Sequence, residues 1–145
     1  MKINRFAFLL VLLVTAVNVF DGNADEKKKG KKKPVYGFGY SFSITDSTVY
    51  FTDIMELPEA KLQKKTKFLE NRQMYSDQLK RYLEKGEPAA PDRTCTVFFS
   101  KNHATLKSIY LRIRRRNQLD KKEIVAVKEL TPEQFAFNAV KVEDE

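Results

Sequence analysis

The spacing of apolar residues changes along the chain, and each change marks an element. Phe6 to Phe20 is almost wholly apolar, and a lysine tract, Lys27-Lys28-Lys29-Gly30-Lys31-Lys32-Lys33, lies just beyond it. From Val35 the period becomes two. Tyr36, Phe38, Tyr40 and Phe42 fall on one side, and Val35, Gly37, Gly39, Ser41 and Ser43 on the other. Such alternation predicts a strand. Thr45-Asp46-Ser47 supplies turn chemistry, and Thr48 to Ile54 is a second β-rich run, so Val35–Ile54 reads as a hairpin. The glycines leave one face thin, which calls for close approach by a helix, backbone or ligand.

Beyond the hairpin the period lengthens. Pro58 and Glu59 suit a helix start, and Gly86 and Pro88 stop the run after Lys85. Phe68, Tyr75, Leu79 and Tyr82 form its stripe, widened by Leu62, Leu69 and Leu83. Thr94 to Phe99 predicts a strand, central because Val97-Phe98-Phe99 leaves little polar alternation. Ser100 or Asn102 can cap a second helix reaching about Asn117, with Leu106, Ile109, Tyr110 and Ile113 as its buried face. Ile124–Glu129 and Phe135–Val142 read as strands around a turn at Thr131-Pro132-Glu133. The expected fold is α+β, a single small domain over residues 35–142. Its order is ββαβαββ, with a mainly antiparallel sheet carrying two helices on one face.

The N-terminal segment predicts location. Lys2 and Arg5, the apolar core and the small residues Gly22 and Ala24 have the layout of a secretory signal peptide over residues 1–24. An apolar helix of about 15 residues covers only ~22 Å, short of the ~30 Å hydrocarbon core. The lysines just downstream oppose translocation, so the alternative is a retained N-terminal anchor. The expected location is the periplasm or cell envelope. Residues 25–34 read as a solvated, disordered linker, because like charges repel and nothing apolar is present to bury. Residues 143–145 form an acidic tail.

Composition refines this picture. The formal charge is +8 over 145 residues. Half of it comes from residues 25–33, where six lysines face only Asp25 and Glu26. The remaining domain is mildly basic, which counts against nucleic acid as partner. Cys95 is the only cysteine, so no internal disulfide can form. Its alternation with Val97 and Phe99 predicts a buried, inert thiol.

Several residues invite a chemical reading. The aromatic ladder of β1 suits a stacking platform for sugars or bases, but a chain this size needs those rings for its core. Arg112, Arg114, Arg115 and Arg116 could grip an anionic polymer together with Lys27, Lys28, Lys29, Lys31, Lys32 and Lys33. They also suit the negative end of a helix dipole. Arg72, on an apolar stripe, needs an acceptor, and Asp53 is the candidate partner. His103 is the only histidine. One histidine and one cysteine do not make a zinc site. No phosphate-cradling glycine loop and no Gly-x-Ser-x-Gly elbow occurs. No cofactor or metal is expected.

The stretches Tyr36-Gly37-Phe38-Gly39-Tyr40-Ser41-Phe42, Asp46-Ser47-Thr48-Val49-Tyr50-Phe51-Thr52-Asp53-Ile54, Tyr75-Ser76-Asp77-Gln78-Leu79-Lys80 and Arg93-Thr94-Cys95 resemble a group of small exported proteins of Bacteroidota without an assigned function. The resemblance covers most of the chain after the signal segment. It implies an envelope location and no activity. Asp46, Ser47, Tyr50, Thr52, Asp53, Arg72, Tyr75 and Ser76 match its polar motif positions, which makes one patch of them a candidate. The hairpin-helix-strand-helix order is also loosely similar to GIY-YIG nucleases. Their second motif is absent, and Lys107–Arg116 has no glutamate to hold a metal.

The leading expectation is a non-enzymatic accessory or binding module that uses Asp46, Tyr50, Asp53, Arg72, Tyr75 and Ser76 against an envelope protein or polymer. The alternatives are a small hydrolase-like envelope enzyme and a polyanion or nucleic-acid binder. Membrane contact is expected only through an uncleaved signal or the Lys tract.

Overall fold

The computed structural model describes residues 32–86, 89–119 and 125–141. A compact unit begins at Lys33. Its elements are β1 (Tyr36–Phe42), β2 (Thr48–Thr52), β3 (Met55–Glu56), α1 (Arg72–Lys85), β4 (Thr94–Ser100), α2 (His103–Leu119) and β5 (Ala126–Leu130). The α+β class and the mainly antiparallel sheet are as expected. The order is not: a short strand follows the hairpin, and no strand follows β5 among the described residues.

The centre of the sheet is β1. It pairs antiparallel with β4 over all seven residues, Tyr36↔Ser100 through Phe42↔Thr94. On its other side β2 takes one half and β3 the other. Strand β5 lies parallel to β2, from Thr48↔Ala126 to Thr52↔Leu130. The expectation of a central β4 is therefore corrected, since among the described residues it pairs only with β1. Its unbroken apolar run has another cause. Val97 faces α1 while Phe98 stacks on Phe38 on the opposite side, at 5.1 Å between centroids.

The two helices also lie on opposite faces, not on one. The ladder side of β1 meets α2: Phe38 and Phe51 contact the Tyr110 ring at 5.1 and 5.3 Å, and Leu106 is fully buried among them. The ladder is thus core. The glycine side meets α1. A Cβ built on Gly39 would stand 2.6 Å from Leu79 Cδ2, 3.0 Å from Thr52 Cγ2 and 3.3 Å from the Phe137 ring. The thin face predicted from the glycines is filled by a helix. Each helix buries its own stripe, so the sheet is a shared middle layer.

Helix α1 begins at Arg72, well after Pro58. Leu62 and Leu69 do not widen its stripe; they pair as a β-bridge in a small reversal. Gln63 N–H donates to Phe68 O at 2.8 Å and Glu70 N–H to Lys61 O at 2.9 Å. Lys67 and Asn71 have φ of 59° and 54°, a left-handed conformation that ends any helix. Lys64, Lys65 and Lys67 offer no apolar face that could hold a turn against the sheet. Phe68 consequently leaves the stripe and is 54% exposed.

The expected strand at Phe135–Val142 packs against α1 without joining a ladder among the described residues; Val142 lies outside them. Phe135 meets Tyr82 and Phe137 meets Tyr75, at 5.3 and 6.1 Å between centroids. The Gln78 amide closes the backbone of Asn138, donating to its O at 3.1 Å and accepting from its N–H at 2.8 Å. A side chain does there what a neighbouring strand would do.

Gly39→Ala is expected to destabilise the domain by about 1–3 kcal/mol through overpacking. The measurement is urea unfolding. An unchanged midpoint would show that α1 is not seated on this glycine.

Candidate functional site

The hairpin residues gather around an arginine that the sequence reading left out of its candidate set. Arg93 precedes β4 and is only 3% exposed. Its Nε donates to Ser41 Oγ at 3.0 Å, its Nη1 to Asp46 Oδ2 at 2.6 Å and its Nη2 to Thr48 O. The guanidinium also lies 4.7 Å from the Tyr50 ring centroid, and Lys128 Nζ lies 5.5 Å from the same ring. Asp46 Oδ1 meanwhile accepts from Thr48 N–H at 2.6 Å, the turn role expected of it. Both Asp46 oxygens and the Tyr50 face are thus engaged within the chain. A hollow of about 260 Å³ beside this turn is lined by Ser43, Ile44, Asp46 and Val125 among others. The sequence signal for Arg93 was parity, since extending the period of β4 back by one puts it on the side of Cys95 and Val97.

The remaining hairpin-helix candidates do not converge. Asp53 is exposed and sits in a bulge, where Phe38 and Gly39 of β1 face Thr52, Asp53 and Ile54. Gly39 N–H donates to the fully buried Thr52 Oγ1 at 2.8 Å, and Thr52 Oγ1 donates to Asp53 O at 2.9 Å. Asp53 Oδ1 accepts from Ile54 N–H at 2.8 Å. Arg72 is not its partner, because β1 stands between β2 and β4. Arg72 instead donates from Nε to Val97 O at 2.9 Å and from Nη2 to Thr96 Oγ1 at 2.8 Å. It thereby covers an acceptor on the open edge of β4. Tyr75 is buried and donates to Pro58 O at 3.0 Å, and burial raises its phenol pKa. Ser76 donates back to Arg72 O at 3.3 Å.

Acid-base and nucleophilic candidates are equally dispersed. Cys95 is half-buried rather than fully buried, on the α1 side. Burial raises its thiol pKa, against the opposing effects of Ser41 and Arg93, so the thiolate is disfavoured. His103 stands edge-on to Tyr36 at 5.2 Å, on the ladder side. The sheet separates the two. Among the described residues no three His, Cys, Asp or Glu side chains gather as a metal site. No helix among them is long and apolar enough to cross a membrane.

The arginine cluster divides. Arg114 turns toward β5 and pairs with Glu129, Nη2 to Oε1 at 2.9 Å. The same carboxylate accepts from Tyr110 OH at 3.3 Å. Burial first, then the Glu129 charge, pushes the Tyr110 phenol up to about 12. Arg112, Arg115 and Arg116 are exposed and have no acidic partner among the described residues. With Ser108, Leu111 and Leu119 they line a depression of about 430 Å³ on the outer side of α2. Leu111 is 49% and Leu119 72% exposed. Helix α2 contains no acidic residue. This surface was half legible: the arginines were singled out, but the leucines that flank them, Leu111 and Leu119, were not. Lys32 and Lys33 are exposed; Lys27, Lys28, Lys29 and Lys31 lie outside the described residues.

Asp46→Ala is expected to cost about 2–3 kcal/mol, since it removes a charged acceptor from a buried guanidinium. Chemical denaturation checks this. A loss below about 0.5 kcal/mol would mean that the Asp46–Arg93 contact behaves as a surface ion pair.

Compared with known proteins, the chain matches no family model, no curated protein and no solved structure.

Proposed function

We propose that this chain is a non-enzymatic binding module, exported to the periplasm or cell envelope, and that it engages an anionic partner through the outer face of α2. The observation that carries this reading is the division of the arginines. Arg114 is consumed by Glu129, while Arg112, Arg115 and Arg116 stand exposed around a depression edged by Leu111 and Leu119. Cations without an acidic partner among the described residues, beside exposed leucines, carry no structural load that the sheet requires. The helix is already held from its other side by Leu106, Tyr110 and the bond from Tyr40 OH to Asn117 Oδ1 at 3.2 Å.

The hairpin-helix patch has less support as a contact surface. Asp46, Tyr50, Arg72, Tyr75 and Ser76 all spend their polar atoms or rings on neighbours within the fold. The hydrolase-like reading lacks a constellation among the described residues, because Cys95 and His103 lie on opposite sides of the sheet. Support for export rests on the layout of residues 1–24.

Replacing Arg112, Arg115 and Arg116 together with glutamate is expected to lower markedly the salt needed for elution from a heparin column. The Lys tract remains in both proteins, so the comparison isolates α2. Unchanged elution would contradict the assignment of α2. Fractionation of the host with mass spectrometry of the N-terminus tests export: an N-terminus at Asp25 in the envelope is expected, and an intact Met1 in the cytosol would contradict it.

A further inference from the structure

The outer face of α2 joins two properties that few partners satisfy together. One is charge: Arg112, Arg115 and Arg116 are exposed without acidic partners among the described residues, on a helix with no acid of its own. The other is exposed apolar surface at Leu111 and Leu119, two helical turns apart with Arg115 between them. We propose that this face is a peripheral docking surface for an anionic phospholipid bilayer, a reading that rests on α2 being the contact surface.

The physical case is complementarity with an interface. An amphipathic helix lying flat on a membrane sets its apolar side chains at the headgroup–acyl boundary and its cations at the phosphates. Long arginine stems allow this even when leucine and arginine share one face, because the charged heads reach outward while the stems stay with the hydrocarbon. Ser108 to Leu119 spans roughly 17 Å at ~1.5 Å per residue, enough to cover several headgroups. A nucleic acid or sulfated polymer would pair with the arginines but leave both leucines in water. The rings that could stack on bases are turned away, as Tyr110 packs on Phe38 and Phe51. The opposite stripe is seated on the sheet through Leu106, which is fully buried, so the outer face is presented without unfolding. The Lys27–Lys33 run adds a second basic element to the same chain, of the kind that anionic leaflets attract.

The chain contains no tryptophan, which allows a position-specific test in the full-length protein. Leu111→Trp places a single indole reporter at the proposed contact, and its reading is independent of whether residues 6–20 also insert. Vesicles containing phosphatidylglycerol are expected to shift its emission to the blue, with quenching by brominated acyl chains. Phosphatidylcholine vesicles are expected to leave it unchanged. Adding Arg112→Glu, Arg115→Glu and Arg116→Glu is expected to weaken the response at least roughly 100-fold in vesicle concentration, at about fivefold for each cation removed. Circular dichroism of each variant confirms that it is folded. An indole emission that ignores phosphatidylglycerol but responds to heparin or polyglutamate overturns the lipid assignment and leaves α2 as the contact surface. An emission that ignores all of these overturns both. A blue shift equal on both lipids, or one untouched by the charge reversals, also overturns the proposal.

Discussion

A guanidinium removed from water is stable only when its donors meet acceptors and its charge is balanced. Arg93 meets that condition by tying both strands and the turn of the hairpin to the start of β4. Its fork reaches Ser41 on β1, Asp46 in the turn and Thr48 at the start of β2, and Tyr50 closes over its face. Because Arg93 precedes β4, these bonds fix where β4 starts against β1, and with it the seven-residue register from Phe42↔Thr94 to Tyr36↔Ser100. A slip by one residue would withdraw the fork and also exchange the faces on which Val97 and Phe98 are buried. Asp46 stays partly exposed, so the cluster is balanced at the rim of the domain, where desolvation costs less than in the core.

The register set at that end determines what each face of the sheet can accept. One side presents Gly37, Gly39 and Ser41, low enough for Leu79 of α1 to sit against the backbone. The other presents Tyr36, Phe38, Tyr40 and Phe42, tall enough to require an apolar helix above them. Helix α2 meets this with Leu106, Ile109, Tyr110 and Ile113. The outer surface of the helix, which holds Leu111, Leu119 and three of the four clustered arginines, takes no part in that packing among the described residues. The proposed function thus depends on the packing: the cationic face is presented because the ladder holds the opposite stripe.

Local pattern disclosed the elements better than their partners. The alternation from Tyr36 to Phe42, the cap read as Ser100 or Asn102, filled by Asn102, whose Oδ1 accepts from Thr105 N–H at 3.1 Å, and the stop after Lys85 were all legible, because each is set by neighbours within a few residues. Which face each helix covers was not, since glycine face and aromatic face are both suitable seats for a helix. Arg72 and Asp53 illustrate the same limit. Their chemistry suggested a pair, but β1 lies between β2, which Asp53 follows, and β4, where the Arg72 guanidinium covers a carbonyl instead. Arg93 was overlooked for a related reason. Its parity marked it as inward-facing, but its partners lie 45 or more residues away, and only strand pairing brings them near. The Pro58 start failed because Glu59 and Lys67 are left-handed, and Lys64, Lys65 and Lys67 offer no apolar face to hold a helix between them.

The register of the sheet depends on the shape of the group at position 93. Lysine keeps the charge but has a single ammonium, which cannot reach Ser41, Asp46 and Thr48 at once. Equilibrium urea unfolding of Arg93→Lys is the direct measurement. A loss of about 3 kcal/mol or more, with faster amide exchange across the β1–β2 hairpin, is the predicted result. A variant within about 0.5 kcal/mol of the original chain, with hairpin protection intact, would contradict it.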